Sequence, residues 1–135
     1  MSVVKSQREE TELTVITKAN ELTAYTIKIC SNEKNFPKRY RWCITSKIVE
    51  SAISISNDLI RANSIYIQSV DDRTLRSKYQ KEALTETYAL LNMINIAYQT
   101  FGIDANRIKH WTQLVNEVQS LIRSWRKSDA NRKIN

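Results

Sequence analysis

Hydrophobic residues recur every three or four positions along four segments of the chain, which is the spacing of one face of an α-helix. The most regular segment is the last, about residues 104–127, where spacings of three and four alternate throughout. Its apolar positions are Ile108, Trp111, Val115, Val118, Ile122 and Trp125. This alternation is typical of a helix whose apolar seam packs in a bundle or coiled coil.

The other three segments span about residues 7–30, 38–68 and 71–101. In the second, the predicted core face is Tyr40, Ile44, Ile48, Ala52, Ile55, Leu59, Ala62 and Tyr66. In the first, which is the least hydrophobic, it is Leu13, Ile16, Ala19, Leu22 and Ile27. In the third it is Leu75, Tyr79, Leu84, Leu91, Ile94 and Tyr98.

Capping and helix-breaking residues separate these segments. Pro37 suits the first position of the second helix, because its missing N–H would have no intrahelical partner there. Asp71 and Asp72 are predicted to cap the third helix, Gly102 to end it, and Asp104 to cap the fourth. One Gly and one Pro in 135 residues are too few for the turns of a sheet. The sequence therefore predicts an all-α fold, an antiparallel up-down-up-down four-helix bundle.

The length of the chain fits one domain, which we place at residues 1–127, and the polar residues 128–135 are predicted to form a disordered tail. No apolar run approaches the ~18 residues of a membrane span, and the polar start does not resemble a signal peptide. We expect a cytoplasmic protein with no membrane partner.

The residue types that most catalysis requires are scarce. A single glycine excludes the phosphate-binding loops of P-loop and dinucleotide-binding proteins. His110 is the only histidine, and Cys30 and Cys43 fit no metal-ligand spacing. Glu82 and Glu86 lie one helical turn apart beside lysines, which favours a solvated face. We therefore predict no enzymatic activity, no catalytic residue, no metal and no cofactor.

Positive charge is concentrated in two regions. The net charge is +7, residues 34–47 carry five bases and no acid, and residues 105–135 carry seven bases against two acids. In residues 36–42 cations alternate with aromatic rings, a combination that can hold phosphates by charge and bases by stacking. Alternatively, Phe36 and Tyr40 belong to the core and the cations are merely solvated. The candidate phosphate contacts are Lys38, Arg39, Arg41, Arg73, Arg76, Lys78, Arg107, Lys109, Arg123 and Arg126.

Four stretches resemble the accessory variability determinant (Avd) family of diversity-generating retroelements. They are Phe36-Pro37-Lys38-Arg39-Tyr40-Arg41-Trp42, Leu59-Ile60-Arg61-Ala62-Asn63, Leu90-Leu91-Asn92-Met93-Ile94-Asn95-Ile96-Ala97-Tyr98 and Leu121-Ile122-Arg123-Ser124-Trp125-Arg126-Lys127. The likeness covers about residues 10–127. It implies a basic four-helix bundle that assembles into a ring-like homopentamer. It also implies association with the element's reverse transcriptase and template RNA, in support of the mutagenic cDNA synthesis that diversifies a target gene.

Two alternatives stay open. A related bundle family, encoded by insertions in bacterial large-subunit rRNA genes, shares the Phe-Pro-Lys start but usually has an Asn-Ile-Ala-Glu-Gly segment soon after, which residues 51–59 lack. The second alternative is a protein–protein interaction module whose charge serves an acidic partner, without any nucleic-acid role. Apolar residues beyond the seams are available either for subunit contacts or for the core: Val49, Ile53, Ile60, Leu114 and Leu121.

Overall fold

The computed structural model describes residues 2–134, with side chains from residue 12 onwards. These residues form four α-helices and no strand: α1 (Ser2–Cys30), α2 (Ser46–Asn63), α3 (Val70–Phe101) and α4 (Ala105–Ala130). Helix α1 packs against α2 and α4, and α3 packs against the same two helices, so that the four surround one core. The predicted all-helical class is thereby confirmed. No helix within the described residues is both long and apolar enough to cross a lipid bilayer.

The second helix is shorter than predicted at both ends. The chain passes through a 3₁₀ turn at Lys38–Tyr40 and a π-helical turn at Arg41–Thr45 before α2 begins, and α2 ends at Asn63 instead of residue 68. The early end has a tertiary cause, since the carbonyl of Ile65 accepts a hydrogen bond of 3.1 Å from Arg76 Nη1. That contact draws the chain away from the helix axis.

The caps agree with the prediction at α4 and differ at α3. The backbone N–H of Arg107 donates to Asp104 Oδ2 over 3.2 Å, and Gly102 ends α3 with a left-handed φ of 63°, as predicted. At α3 the N-cap is Ser69, whose hydroxyl accepts from the Asp72 N–H over 3.1 Å. The Asp72 carboxylate in turn accepts from the Gln68 N–H over 3.0 Å, so the two side chains cap reciprocally.

The predicted disordered tail begins too early. Helix α4 continues to Ala130, three residues beyond the predicted end, and Asp129 is buried with 5% exposure. A buried carboxylate needs partners, and Asp129 has them in α3. The last turn of α4 is therefore part of the fold, while residue 135 lies outside the described residues.

The predicted core faces of α2 and α4 are largely confirmed, and those of α1 and α3 are confirmed in part. Ala19, Leu22 and Ile94 are buried as predicted, and Tyr79, Leu84 and Leu91 are half-buried against the core. The confirmed positions of α2 and α4, all with 2% exposure or less, are Ile48, Ala52, Ile55, Leu59, Ala62, Trp111, Val115, Val118, Ile122 and Trp125. In α1, Leu13 and Ile27 are exposed and the buried face is Val15, Ala19, Leu22, Thr26 and Ile29. In α3, Leu75 and Tyr98 are exposed and the buried face is Arg76, Gln80, Ala83, Thr87, Leu90, Ile94 and Ala97.

Candidate nucleic-acid interface

Two aromatic side chains fix the basic segment to the body of the protein. Phe36 is 2% exposed, and its ring centroid lies 5.6 Å from that of Phe101 and 6.1 Å from that of Trp111. Tyr40 is half-buried with its ring 5.2 Å from Phe101. Edge-to-face contacts at these separations are favourable. Phe36 is therefore buried in the core and Tyr40 packs on Phe101 at its edge, and we call these two rings the anchors.

The residues that follow the anchors point their charges and one ring into solvent. We call residues 38–47 the basic entry segment, because they carry four bases and no acid and lead into α2. Trp42 is 81% exposed, and Lys38, Arg39 and Arg41 are exposed beside it. The Arg39 guanidinium carbon lies 5.0 Å from the Tyr40 ring centroid, a cation–π distance that orients this cation. The segment thus presents a free indole among free cations.

A cavity of about 530 Å³ lies beside the basic entry segment. Its apolar wall is formed by Ile27, Cys30, Phe36, Pro37 and Val49. Burial raises the pKa of the Cys30 thiol to about 12, so this side chain stays neutral and contributes apolar surface. The polar part of the lining contains two cations of the basic entry segment, two carboxylates and three hydroxyls: Lys38, Arg41, Glu33, Glu50, Ser31, Thr45 and Ser46. No sequence pattern indicated this cavity, because α1, the following loop and α2 each supply part of it.

Arg76 was predicted to contact phosphate, and the structure contradicts this. Its side chain is 4% exposed, and Nε and Nη2 donate to the two oxygens of Asp129 over 2.7 and 3.1 Å. Nη2 also donates to Glu12 Oε1 over 2.5 Å, while Nη1 holds the Ile65 carbonyl. The guanidinium carbon lies 4.9 Å from the Trp125 ring centroid. With its donors committed inside the protein, Arg76 is a structural residue.

The other nine candidates reach the surface to different degrees. Lys78, Arg107 and Lys109 are exposed. Arg123 is exposed too, and it donates to the Tyr88 hydroxyl with its guanidinium carbon 5.7 Å from that ring. Arg73 and Arg126 are half-buried, and both keep buried guanidinium nitrogens without a hydrogen-bond partner.

Seven of these cations fall into two regions. Arg107 and Lys109 begin α4 just before Trp111, which packs on Phe36, so they lie toward the same end of the helices as the basic entry segment. Arg73 lies one turn before Arg76, and Arg126 follows Trp125, which places both near the buried Arg76–Asp129 pair. The basic entry segment has the densest charge and the only exposed tryptophan among the described residues.

His110 is a packing residue at the start of α4. Its ring centroid lies 4.8 Å from that of Tyr25 in an edge-on contact, and the Tyr25 hydroxyl donates to the Arg107 carbonyl over 3.4 Å. Across the described part of the chain, no three histidine, cysteine, aspartate or glutamate side chains lie close enough to hold a metal ion. No family model, curated protein or solved structure matches the chain.

Proposed function

We propose that this protein is a non-catalytic accessory factor of a diversity-generating retroelement, which binds template RNA or its cDNA and the reverse transcriptase as an oligomeric scaffold. The observation that carries the proposal is the basic entry segment, in which Trp42 is 81% exposed among Lys38, Arg39 and Arg41. An exposed aromatic ring among cations can stack on the bases of a single strand while the cations hold its phosphates. The family resemblance supplies the identity of the retroelement and of its polymerase.

In this proposal the nucleic-acid contacts are the nine cations that remain after Arg76 is removed from the set. The three cations of the basic entry segment are the primary contacts, because they flank the exposed indole and make no ion pair among the described residues. Contacts of this kind bind the phosphate backbone by charge and are insensitive to base sequence. The remaining candidates are Arg73, Lys78, Arg107, Lys109, Arg123 and Arg126.

We further propose the up-down-up-down antiparallel order for the bundle. Contacts along α1 support it: Ser56 of α2 donates to the carbonyl of Ala19 over 3.1 Å, while Thr23, one turn later in α1, donates to the carbonyl of Ala52, one turn earlier in α2, over 3.0 Å. Late in α1, Thr26 accepts a hydrogen bond of 2.9 Å from Trp111 Nε1, near the start of α4. Early in α1, Glu12 pairs with Arg76, which also pairs with Asp129 near the end of α4. Residue numbers therefore rise along α1 as they fall along α4. The homopentamer is taken from the resemblance, and exposed apolar side chains such as Ile53 and Ile60 are available for subunit contacts.

A triple substitution tests the primary contacts. Replacing Lys38, Arg39 and Arg41 together with alanine is expected to weaken binding of a single-stranded RNA and to flatten its salt dependence. Loss of three phosphate contacts lowers the slope of log affinity against log salt by about 2, at ~0.7 per contact. Fluorescence anisotropy of a labelled oligonucleotide over a salt series measures both quantities.

The matched control removes three exposed cations that lie outside the candidate set, Lys28, Lys81 and Lys133, and changes the net charge by the same amount. It is expected to keep most of the affinity and of the salt slope. If both triple variants weaken binding equally, only the total charge matters and the basic entry segment is not the interface.

A second candidate function, a protein–protein interaction module, has its own supporting observation. Apolar side chains are exposed around the connection between α2 and α3, with Tyr66 at 69%, Val70 at 68% and Leu75 at 43%. Exposed apolar groups that cluster in this way are typical of partner-binding surfaces. Tight binding to a protein partner, abolished by Tyr66→Ser and unaffected by the triple alanine variant, would favour this second function.

A further inference from the structure

The cavity beside the basic entry segment contains charges that the protein itself does not neutralise. Lys38 and Arg41 line it together with Glu33 and Glu50, yet none of the four forms an ion pair among the described residues. Cations and carboxylates that share a cavity without pairing leave donors and acceptors free for a ligand. A ligand that satisfies both must offer an anionic group and hydrogen-bond donors at once.

The backbone beside the cavity departs from regular helix. The π-helical turn Arg41–Thr45 lies directly before α2, and π-turns are frequent at functional sites. Thr45 ends that turn and lines the cavity, and its hydroxyl oxygen is buried without a hydrogen-bond partner. An unsatisfied buried hydroxyl in a native fold marks strain or function, and here it coincides with the π-helical turn.

The size and wall of the cavity restrict the ligand further. About 530 Å³ is within the usual range for small-molecule pockets, and the wall offers Ile27, Pro37 and Val49 as apolar surface. A flat, weakly polar ring with hydrogen-bonding edges fits such a wall. Lys38 and Arg41 belong at the same time to the basic entry segment, so that an anion attached to the ring would meet the cations already assigned to phosphate.

We propose that the cavity receives one unstacked nucleotide of the bound single strand. Its base lies against Ile27, Pro37 and Val49, and its phosphates meet Lys38 and Arg41, while Trp42 is free to stack on a neighbouring base. This inference rests on the proposed function and adds a base-reading site to a surface that would otherwise bind only the backbone.

The carboxylates give the site a preference among bases. Glu33 and Glu50 accept hydrogen bonds, and the exocyclic amino group of cytosine is a donor that a carboxylate recognises, whereas uracil has an acceptor at that position. Short oligo(rC) and oligo(rU) strands are matched probes, because both are pyrimidine homopolymers with the same phosphate charge. We expect the protein to bind oligo(rC) about ten-fold more tightly, as one good base contact provides.

Filling the cavity tests the assignment. Ser46→Phe places a ring at the cavity lining and removes no charge, and Ser120→Phe places the same ring on the exposed side of α4 as the matched control. Ser46→Phe is expected to lower affinity for oligo(rC) to the level of oligo(rU), with the salt slope unchanged, and the control is expected to match the parent protein. Anisotropy of the labelled strands measures the affinities, and circular dichroism verifies the fold.

The outcomes separate this inference from the function on which it rests. If the parent protein binds neither strand, the proposed function fails and the cavity assignment fails with it. If it binds both strands and Ser46→Phe leaves both affinities unchanged, RNA binding stands and the cavity assignment is overturned. Should Ser46→Phe fail to fold, replacing Glu33 and Glu50 together with methionine removes both carboxylate acceptors and keeps a similar side-chain volume. Loss of the preference for oligo(rC) in that variant supports the assignment, and a preserved preference overturns it.

Discussion

Replacing Asp129 with alanine is expected to lower the free energy of unfolding by about 3 kcal/mol, because it leaves a buried guanidinium without its principal counter-ion. Asp129 accepts from Arg76 Nε over 2.7 Å, from Nη2 over 3.1 Å and from Gln80 Nε2 over 2.8 Å. The Arg76 and Asp129 side chains are 4% and 6% exposed, so water cannot replace the lost partner. Glu12 still holds Nη2, which keeps the loss at the lower end of the range for buried pairs. Urea denaturation followed by circular dichroism measures it.

The matched control is Asp58→Ala in α2. Asp58 also pairs with an arginine, Arg61, at 3.0 Å, but the Arg61 side chain is 54% exposed. The Asp58 side chain is 13% exposed, but the guanidinium that it would leave behind is open to water. Such a pair contributes about 0–1 kcal/mol, so this variant is expected to unfold close to the parent protein. If the two aspartate variants lose the same free energy of unfolding, the contacts of Arg76 and Gln80 with Asp129 do not hold α3 to the end of α4.

Replacing Trp111 with alanine is expected to destabilise the protein by about 3–5 kcal/mol, the usual range for deletion of a buried indole. Trp111 is fully buried and contacts Phe36, and its Nε1 donates to the Thr26 hydroxyl over 2.9 Å. The substitution creates a cavity where α1, α4 and the loop after α1 meet. It also leaves the Thr26 hydroxyl, which is 0% exposed, with one partner fewer.

Trp42→Ala is the same substitution at an exposed position and serves as its control. Because the Trp42 side chain is 81% exposed, its removal is expected to change stability by no more than about 0.5 kcal/mol. Trp42→Ala is also expected to weaken binding to single-stranded RNA. For a core residue such as Trp111 the opposite is expected: the substitution lowers stability strongly and does not remove a contact to RNA. A large loss of stability for Trp42→Ala would place this ring in a core contact and remove the observation behind the proposed function.

The apolar pattern predicted α4 and the middle of α2 well, because the faces that these helices bury are mainly hydrophobic. Trp111, Val118 and Trp125 are buried where the alternating spacing placed them, as are Ile48 and Ile55. Where the buried face is hydrophobic, the spacing of apolar residues along the sequence predicts which face of the helix packs in the core.

The same method located the inner face of α3 only in part, because that face is partly polar. Arg76, Gln80 and Thr87 are buried, and a search for apolar spacing assigns such residues to the surface. What makes their burial tolerable is a set of tertiary hydrogen bonds, chiefly to Asp129, which is 53 residues from Arg76 along the chain. No local pattern contains that information. The prediction of a disordered tail from residue 128 is wrong at the end of α4 for the same reason, since Asp129 is held by a distant arginine.

The candidate interface was predicted in part. The sequence indicated the cations and rings of residues 36–42, and the structure separates them into anchors, Phe36 and Tyr40, and one exposed ring, Trp42. That separation depends on packing against Phe101, which local sequence does not show. The cavity could not be predicted, since its lining combines Ile27, residues 30–38 and the start of α2.

The most direct measurement of the central claim is the mass of the purified protein by light scattering, alone and with a single-stranded RNA, at low and high salt. The account predicts a discrete oligomer of ring size that takes up RNA at low salt and releases it at high salt, because the contacts are to phosphate. A monomer whose mass is the same with and without RNA at both salt concentrations would contradict it.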